Sequence, residues 1–446
     1  MAAQILAICI FVGMFLLIIL DKFERYYITL ASGALVLALV FGVCMHSMSA
    51  IWGTLNLPSI FTSGFWYGAS EEGNSGINWS TIFFIAGMMI MVEGLGKAGF
   101  FRWLCLTLAK LVRYRIVPLL VCFMVLSAVL SMFIDSITVV LFLATVTLEL
   151  AQTMKFNPIF CANLGGAATM CGDPPNIIVG TSLGYTFFDF ISNTGVAVAI
   201  CFVLVLIYFV LCFRKRLLRD EKNSGAAVCP QPGTAITNRP AFLLSAGVFL
   251  LAVILLATHA QTKLTVACIG VIVAALSLVV IGCTSGGKAV LEIIKGVDYK
   301  TLLFFIGLFV SVAGLKETGV LDVIARFITT VSGGNAAIIV VIILWISAVT
   351  SAFVDNIPFA ATMIPVVRSI AATSGIDMGV LAWALSLGTD LGGNATPIGA
   401  SANVVGTSVA AKGGYPISWG VYCKYCVGAT VLVIAVSMGY LFLRYL

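Results

Sequence analysis

LGGAATMCGDPPN at residues 164–176 and LGGNATPIGASAN at residues 391–403 are one motif written twice, 227 positions apart, with Leu, Gly, Gly, Ala, Thr, Gly and Asn in register. Upstream of each copy, SAVLSMFID ending at Asp135 and SAVTSAFVD ending at Asp355 repeat at an offset of 220. TIFFIAGMMIMVEGLGKAGFF from Thr81 and TLLFFIGLFVSVAGLKETGVL from Thr301 repeat at the same offset. Each half of the chain therefore carries an Asp inside an apolar run, followed by a Gly- and Asn-containing interruption at what should be membrane depth. Fold and function turn on that pairing.

The 446 residues are 61% apolar and only 9% charged, with a mean hydropathy of +1.14, so no water-compatible surface can enclose the core. The composition predicts an integral, multi-pass membrane protein. Apolar runs near 3–20, 27–44, 81–96, 116–132, 193–213, 241–258, 264–282, 301–314, 337–352 and 424–443 approach the ~20 residues that a helix needs to cross a hydrocarbon core of about 30 Å. Shorter pieces between them raise the expectation to about 11 or 12 spanning or re-entrant elements. Period-two alternation is absent, so the spans are read as helices. The first run lacks a basic flank and a cleavage site and reads as a retained helix.

The net charge of +6 is a topology signal. Basic residues gather at Lys22 and Arg25, from Arg102 to Arg115 and from Arg214 to Lys222, whereas the 45–78 loop holds Glu71 and Glu72 and no Lys or Arg. Positive-inside bias puts the basic segments in the cytoplasm and that loop outside. No basic face exists apart from membrane flanks, which argues against a nucleic-acid partner. Cys423 and Cys426 form a lone CxxC without a second ligand pair, and His46 and His259 stand apart, so neither metal nor redox chemistry is indicated. HExxH, a paired Ser-His set and GxxxxGK[ST] are all missing, which excludes the common membrane hydrolases and a primary pump. Nothing calls for a catalytic residue or an organic cofactor.

Arg102 to Arg115 follow the matched helix of the first half, whereas Lys288, Lys295 and Lys300 precede its counterpart. The two helices should run in opposite directions. Inverted repeats of this kind mark secondary transporters, with sites near the midplane at broken helices. The chain divides accordingly into N-terminal helices and an extracytoplasmic loop (1–78), a first repeat (79–213), a cytoplasmic linker (214–240), leading helices of the second half (241–300) and a second repeat (301–446).

An ionised carboxylate at bilayer depth costs at least ~2.5–3.5 kcal/mol and usually faces a cavity or a partner. Asp135 with Ser136 and Thr138, and Asp355 with Asn356 and Thr362, are therefore candidate ion-binding groups. The plainer alternative is that each Asp caps a helix. Gly165, Gly166, Gly392 and Gly393 permit close backbone approach, which helix packing alone would also explain. The DPPN that follows cannot continue an ordinary helix. Freed carbonyls with Thr169, Asp173 and Asn176 in one break, and with Asn394, Thr396, Ser401 and Asn403 in the other, would suit a hard cation. Na⁺ is expected near Asp135, Thr169, Asp355 and Thr396. Exposed N–H groups at the following half-helices would favour an anion. The halves differ where Asn163 is replaced by Asp390 and Asp173 by Ala400. Glu93 is read as structural, pairing with Lys97 one turn on.

GGAATMCGDPPNIIVG, SAFVDNIPFAATMIP and LGGNATPIGASANVVG resemble the ion transporter superfamily, within the branch that holds the melanosomal P protein, arsenite-efflux permeases and NhaD-type sodium/proton antiporters. With the flanking helices the likeness covers nearly the whole chain. It implies a citrate-transporter-like domain with a scaffold and an elevator-type transport domain, in a homodimer. It also implies re-entrant hairpins tipped at Asp135-Ser136-Ile137-Thr138 and Asp355-Asn356-Ile357-Pro358, with broken helices at Gly165–Asn176 and Gly392–Asn403. The Ser-Asn-Thr tips of the related dicarboxylate symporters are absent. The expected activity is secondary transport of a small anion across the cell membrane coupled to Na⁺ or H⁺. A Na⁺/H⁺ antiporter comes second and arsenite efflux third.

Overall fold

The computed structural model describes residues 1–20, 22–68, 76–151, 165–223 and 231–446. Every major element is a helix. The first half contains α1 (Ala2–Leu20), α2 (Arg25–Leu35), α3 (Met48–Leu55), α4 (Trp79–Lys97), α5 (Phe100–Leu111), α6 (Ile116–Ser131), α7 (Ser136–Ala151), α8 (Pro174–Leu183) and α9 (Val196–Asn223). The second contains α10 (Arg239–Thr262), α11 (Val266–Ser285), α12 (Gly287–Gly296), α13 (Tyr299–Glu317), α14 (Val320–Val331), α15 (Ala336–Ser351), α16 (Asn356–Ser374), α17 (Met378–Gly392), α18 (Ser401–Lys412) and α19 (Trp419–Tyr445). Among the described residues nine helical segments are long and apolar enough to cross a membrane, and three shorter apolar helices accompany them. Apolar side chains such as Leu16, Val203, Leu243, Leu250 and Val279 stand exposed along the long helices, as a lipid-facing belt requires.

Local signals place the ends. Asn78, Asp298, Asn335 and Ser418 each accept a first-turn N–H as N-caps of α4, α13, α15 and α19. The two prolines of DPPN occupy the first two positions of α8, where a helix leaves its N–H groups unpaired in any case. They start a helix rather than merely end one. Short α5 and α14 are one-sided: Phe101, Cys105 and Ala109 are buried in one, and Leu321, Ala325 and Ile328 in the other. Past Leu35, α2 widens into a π-helix through Cys44.

Two glycines related by the 220-residue offset sit at close helix crossings. Gly87 of α4 lies directly against the Gly270 backbone of α11, and its counterpart Gly307 of α13 lies against the Thr29 backbone of α2. Each matched helix thus packs on a leading helix of the opposite half. Trp79, at the start of α4, and Lys316, near the end of α13, border the same cavity, so one helix begins at the end of the molecule where the other finishes. The hairpins cross over similarly, α8 packing on α16 and α18 on α7. Helix α17 is wholly buried from Gly379 to Gly392.

Two readings change. Lys97 pairs with Glu292 of α12 at 3.1 Å, because Glu93 is turned against the Gly296 backbone instead. Helix α9 runs on to Asn223, past the expected start of the linker. Asn163, Glu71 and Glu72 lie outside the described residues.

Candidate functional site

Two hairpins, α6–α7 and α15–α16, turn at residues 132–135 and 352–355, and two helices break between 167 and 173 and between 393 and 400. At the tips both Asp residues act as caps. Asp135 Oδ1 accepts the Ile137 N–H at 3.0 Å, and its Oδ2 accepts the Thr138 N–H at 3.1 Å and the Thr138 hydroxyl at 2.6 Å. Asp355 Oδ1 accepts the Ile357 N–H at 3.2 Å. The capping alternative is therefore correct as a description of local structure, and it operates at the hairpin turns.

The breaks are braced by one repeated scheme. Asn176 Nδ2 donates to the carbonyls of Gly166 and Thr169, both at 3.1 Å. Asn403 Nδ2 donates to those of Gly393 and Thr396 at 2.8 and 2.9 Å. Thr169 donates to the Met132 carbonyl of the first tip at 2.5 Å, and Thr396 to the Ala352 carbonyl of the second. Gly165 packs on the Ala128 backbone and Gly392 on the Ala348 backbone, where a Cβ would collide. Asp173 and Ala400, chemically unlike, share one extended conformation (φ −145°, ψ 145° and φ −141°, ψ 145°). These side chains hold the broken geometry by satisfying carbonyls that the helices leave free. Asn394 likewise turns back onto the Leu391 carbonyl of its own helix at 3.3 Å, and Thr362 onto Pro358 of α16 at 2.7 Å.

The halves meet at Asp173. Ser136 Oγ donates to its Oδ1 and Asn356 Nδ2 to its Oδ2, each at 2.7 Å. Ser136 and Asn356 are the first helical residues after the two tips, 220 positions apart, so one carboxylate from the first break joins both hairpins. Helices α7, α8, α16 and α18 all begin around this point, and each helix start carries about half a positive charge.

Three further groups complete the centre. Asp390 is fully buried on α17, its carboxylate beside the Asn176 side chain and the Asp173 carboxylate. Such a carboxylate in a dry site is stable when a proton or a cation neutralises it. Ser386, one turn earlier on the same helix, donates to Asn176 Oδ1. Arg25, at the start of α2, reaches Asp355 Oδ2 at 2.9 Å, and Ser401 Oγ donates to that same oxygen at 2.6 Å.

Ser386 and Arg25 escaped the sequence reading. Ser386 sits four residues before Asp390, a helical spacing that places both on one face. Arg25 opens an apolar run and reads there as a topology marker, so only the fold reveals its partner.

The chain matches the citrate transporter family over residues 15–388. It is 32% identical over 451 residues to an uncharacterised transporter of Mycobacterium tuberculosis, covering 99% of both chains. It is 28% identical over 450 residues to the P protein of Mus musculus, covering 82% of this chain and 54% of that one. Among solved structures, the YdaH transporter of Alcanivorax borkumensis aligns over 81% of this chain and 84% of its own at 17% identity, with a TM-score of 0.49.

Proposed function

The chain belongs to the citrate transporter family, and from that premise we propose that it is a secondary active transporter carrying a small anion across the cell membrane, coupled to Na⁺ or H⁺. It is a multi-pass membrane transporter and not an enzyme. In the proposed mechanism the two halves are inverted repeats. The hairpins and broken helices move as an elevator against a scaffold built on α2, α4, α11 and α13, within a homodimer.

The observation that carries this reading is the inequality of the two breaks. In the first, the acidic Asp173 is followed by Pro174 and Pro175, which have no N–H to offer. In the second, uncharged Ala400 is followed by Ser401 and Ala402, whose first-turn N–H groups are anion donors, and the Arg25 guanidinium lies alongside. The first break and tip suit the coupling cation, with carboxylate oxygens from Asp135 and Asp173 and the Met132 carbonyl against Thr169. The second suits the anion. Asp390, buried beside Asn176 and Asp173, is the group for a coupling proton or cation.

A Na⁺/H⁺ antiporter is the second reading, favoured by four carboxylates (Asp135, Asp173, Asp355 and Asp390) at the tips, breaks and α17, of which Asp355 pairs with the Arg25 guanidinium. Proteoliposomes with imposed Na⁺ and pH gradients, supplied with citrate, phosphate and other small anions in turn, separate the two. Anion uptake driven by either gradient is the expected result. Na⁺ moving against H⁺ with no anion present overturns the proposal.

A further inference from the structure

We propose a second anion site, an outer vestibule formed by Lys316 and Arg368, which gathers small multivalent oxyanions or carboxylates before they reach the central site. A cavity of about 130 Å³ opens at the end of the molecule that carries the 45–78 loop, bordered by Lys316 and Arg368 together with Asn56, Asn78, Thr181 and Ser182. No Asp or Glu among the described residues lines it, and the two charged side chains that do are both cations. The volume is several times the roughly 10–15 Å³ that one water requires of a cavity, which suits an anion such as phosphate or a small carboxylate.

The two basic groups are placed differently. Arg368 donates from its guanidinium to the Ser182 carbonyl, which fixes it across the cavity between α16 and α8. Among the described residues Lys316 makes no ion pair. Its neighbours Glu317 and Asp322 do not bridge to it, and Asp322 accepts the Ser369 hydroxyl at 2.9 Å instead. A lysine near a helix end commonly extends its ammonium to the lipid headgroups. Lys316 instead lines this cavity together with a second, fixed cation, Arg368.

Position makes the cavity a vestibule. Its walls include Ile178 of α8 and Ala361 of α16. Both helices begin at the central site, at Pro174 and Asn356, so the cavity wall lies only about 6–8 Å along each helix from Asp173 and its partners. Pro365 also lines it and has no N–H for the Ala361 carbonyl. The 220-residue counterparts of Lys316 and Arg368 are Gly96 and Leu148, so the opposite face has no equivalent pair. Two like charges in a low-dielectric cleft raise the local concentration of anions and discriminate by valence. The vestibule would act so on one side of the membrane only.

The inference deepens the anion-transport reading and is tested apart from it. Citrate and phosphate binding to the full-length protein in lipid nanodiscs is followed by calorimetry for the wild type, Lys316→Gln, Lys316→Arg and Asp173→Asn. Lys316→Gln is expected to weaken citrate binding at least tenfold and Lys316→Arg to restore it, while Asp173→Asn keeps vestibule binding although its transport is lost. In the unmodified protein, citrate should slow amine-reactive labelling of Lys316, a readout that needs no variant to fold. Unchanged citrate affinity in Lys316→Gln, labelling indifferent to citrate, or a wild type that binds neither anion overturns the vestibule. A Lys316-dependent citrate site in a protein that transports no anion would leave the vestibule standing and remove the transport reading.

Discussion

Arg25 Nη1 and Asp355 Oδ2 lie 2.9 Å apart, joining the first turn of α2 to the tip of the second hairpin. The Asp355 side chain is 4% exposed and that of Arg25 30%, so the acid is the partner that suffers when the pair is cut. Removing one member of a buried pair costs about 3–5 kcal/mol, and the part-open guanidinium brings the expectation to about 2 kcal/mol. Arg25→Gln should therefore lower the unfolding midpoint. Arg25→Gln combined with Asp355→Asn should lower it by less than the sum of the single changes. Thermal unfolding of the four proteins in one detergent measures the coupling, and strict additivity would show that the contact contributes nothing.

Asp173 is the one acceptor for both hairpin tips, which makes its replacement asymmetric. In Asp173→Asn one oxygen remains for Ser136 or Asn356, and the other donor faces an NH₂ group. One buried donor is left unpaired at about 1–3 kcal/mol, and the junction between the halves opens. Gradient-driven uptake in proteoliposomes should fall at least tenfold. Ser136→Ala and Asn356→Ala, which leave the carboxylate but remove one tether each, should give smaller and similar losses. Strongly unequal losses would show that the two tips do not share the junction.

Gly87 and Gly307 test the recurrence without touching the site. A Cβ at either position would overlap backbone atoms of the facing helix, Gly270 in one case and Thr29 in the other, whereas a Cβ at Gly247 would meet nothing within 4 Å. Gly87→Ala and Gly307→Ala should each destabilise by about 1–3 kcal/mol through overpacking. Gly247→Ala should be neutral or slightly stabilising, since alanine is the better helix former by roughly 1 kcal/mol. Unfolding midpoints of the three variants decide the matter, and tolerance at Gly87 and Gly307 would deny the close crossings.

The helical spans and the breaks were legible because each leaves a local mark, and the hairpin tips followed from the family resemblance. The marks are an apolar run of spanning length, an Asp within it, a Gly-Gly pair, and two prolines that cannot continue a helix. What could not be read was which polar atoms meet. Asn176, Asn403, Thr169 and Thr396 look like ligands in a linear chain. In the fold their donors brace carbonyls that the breaks set free, because unpaired backbone groups in a dry interior must find partners first. Arg25 and Ser386 reach their partners across 330 and 210 residues, separations that neither composition nor periodicity encodes. The Glu93–Lys97 pair failed for the same reason: helix α12 supplied Lys97 with a partner in Glu292 that the spacing on α4 could not anticipate.

Asp390 gives the sharpest test of coupling, because its carboxylate is fully buried beside the Asp173 carboxylate. Asp390→Asn keeps the volume and removes the ionisable group, so the fold should survive with an unfolding midpoint equal to or above that of the wild type. Transport should change in kind. If Asp390 carries the coupling proton, uptake by the variant becomes insensitive to pH while keeping any dependence on Na⁺. If it binds the coupling cation, the Na⁺ dependence is the one that flattens. Uptake rates across a pH series at fixed Na⁺, and across a Na⁺ series at fixed pH, distinguish these outcomes. A variant with both dependences unchanged would show that Asp390 takes no part in coupling and leave Asp135 and Asp173 as the groups that do.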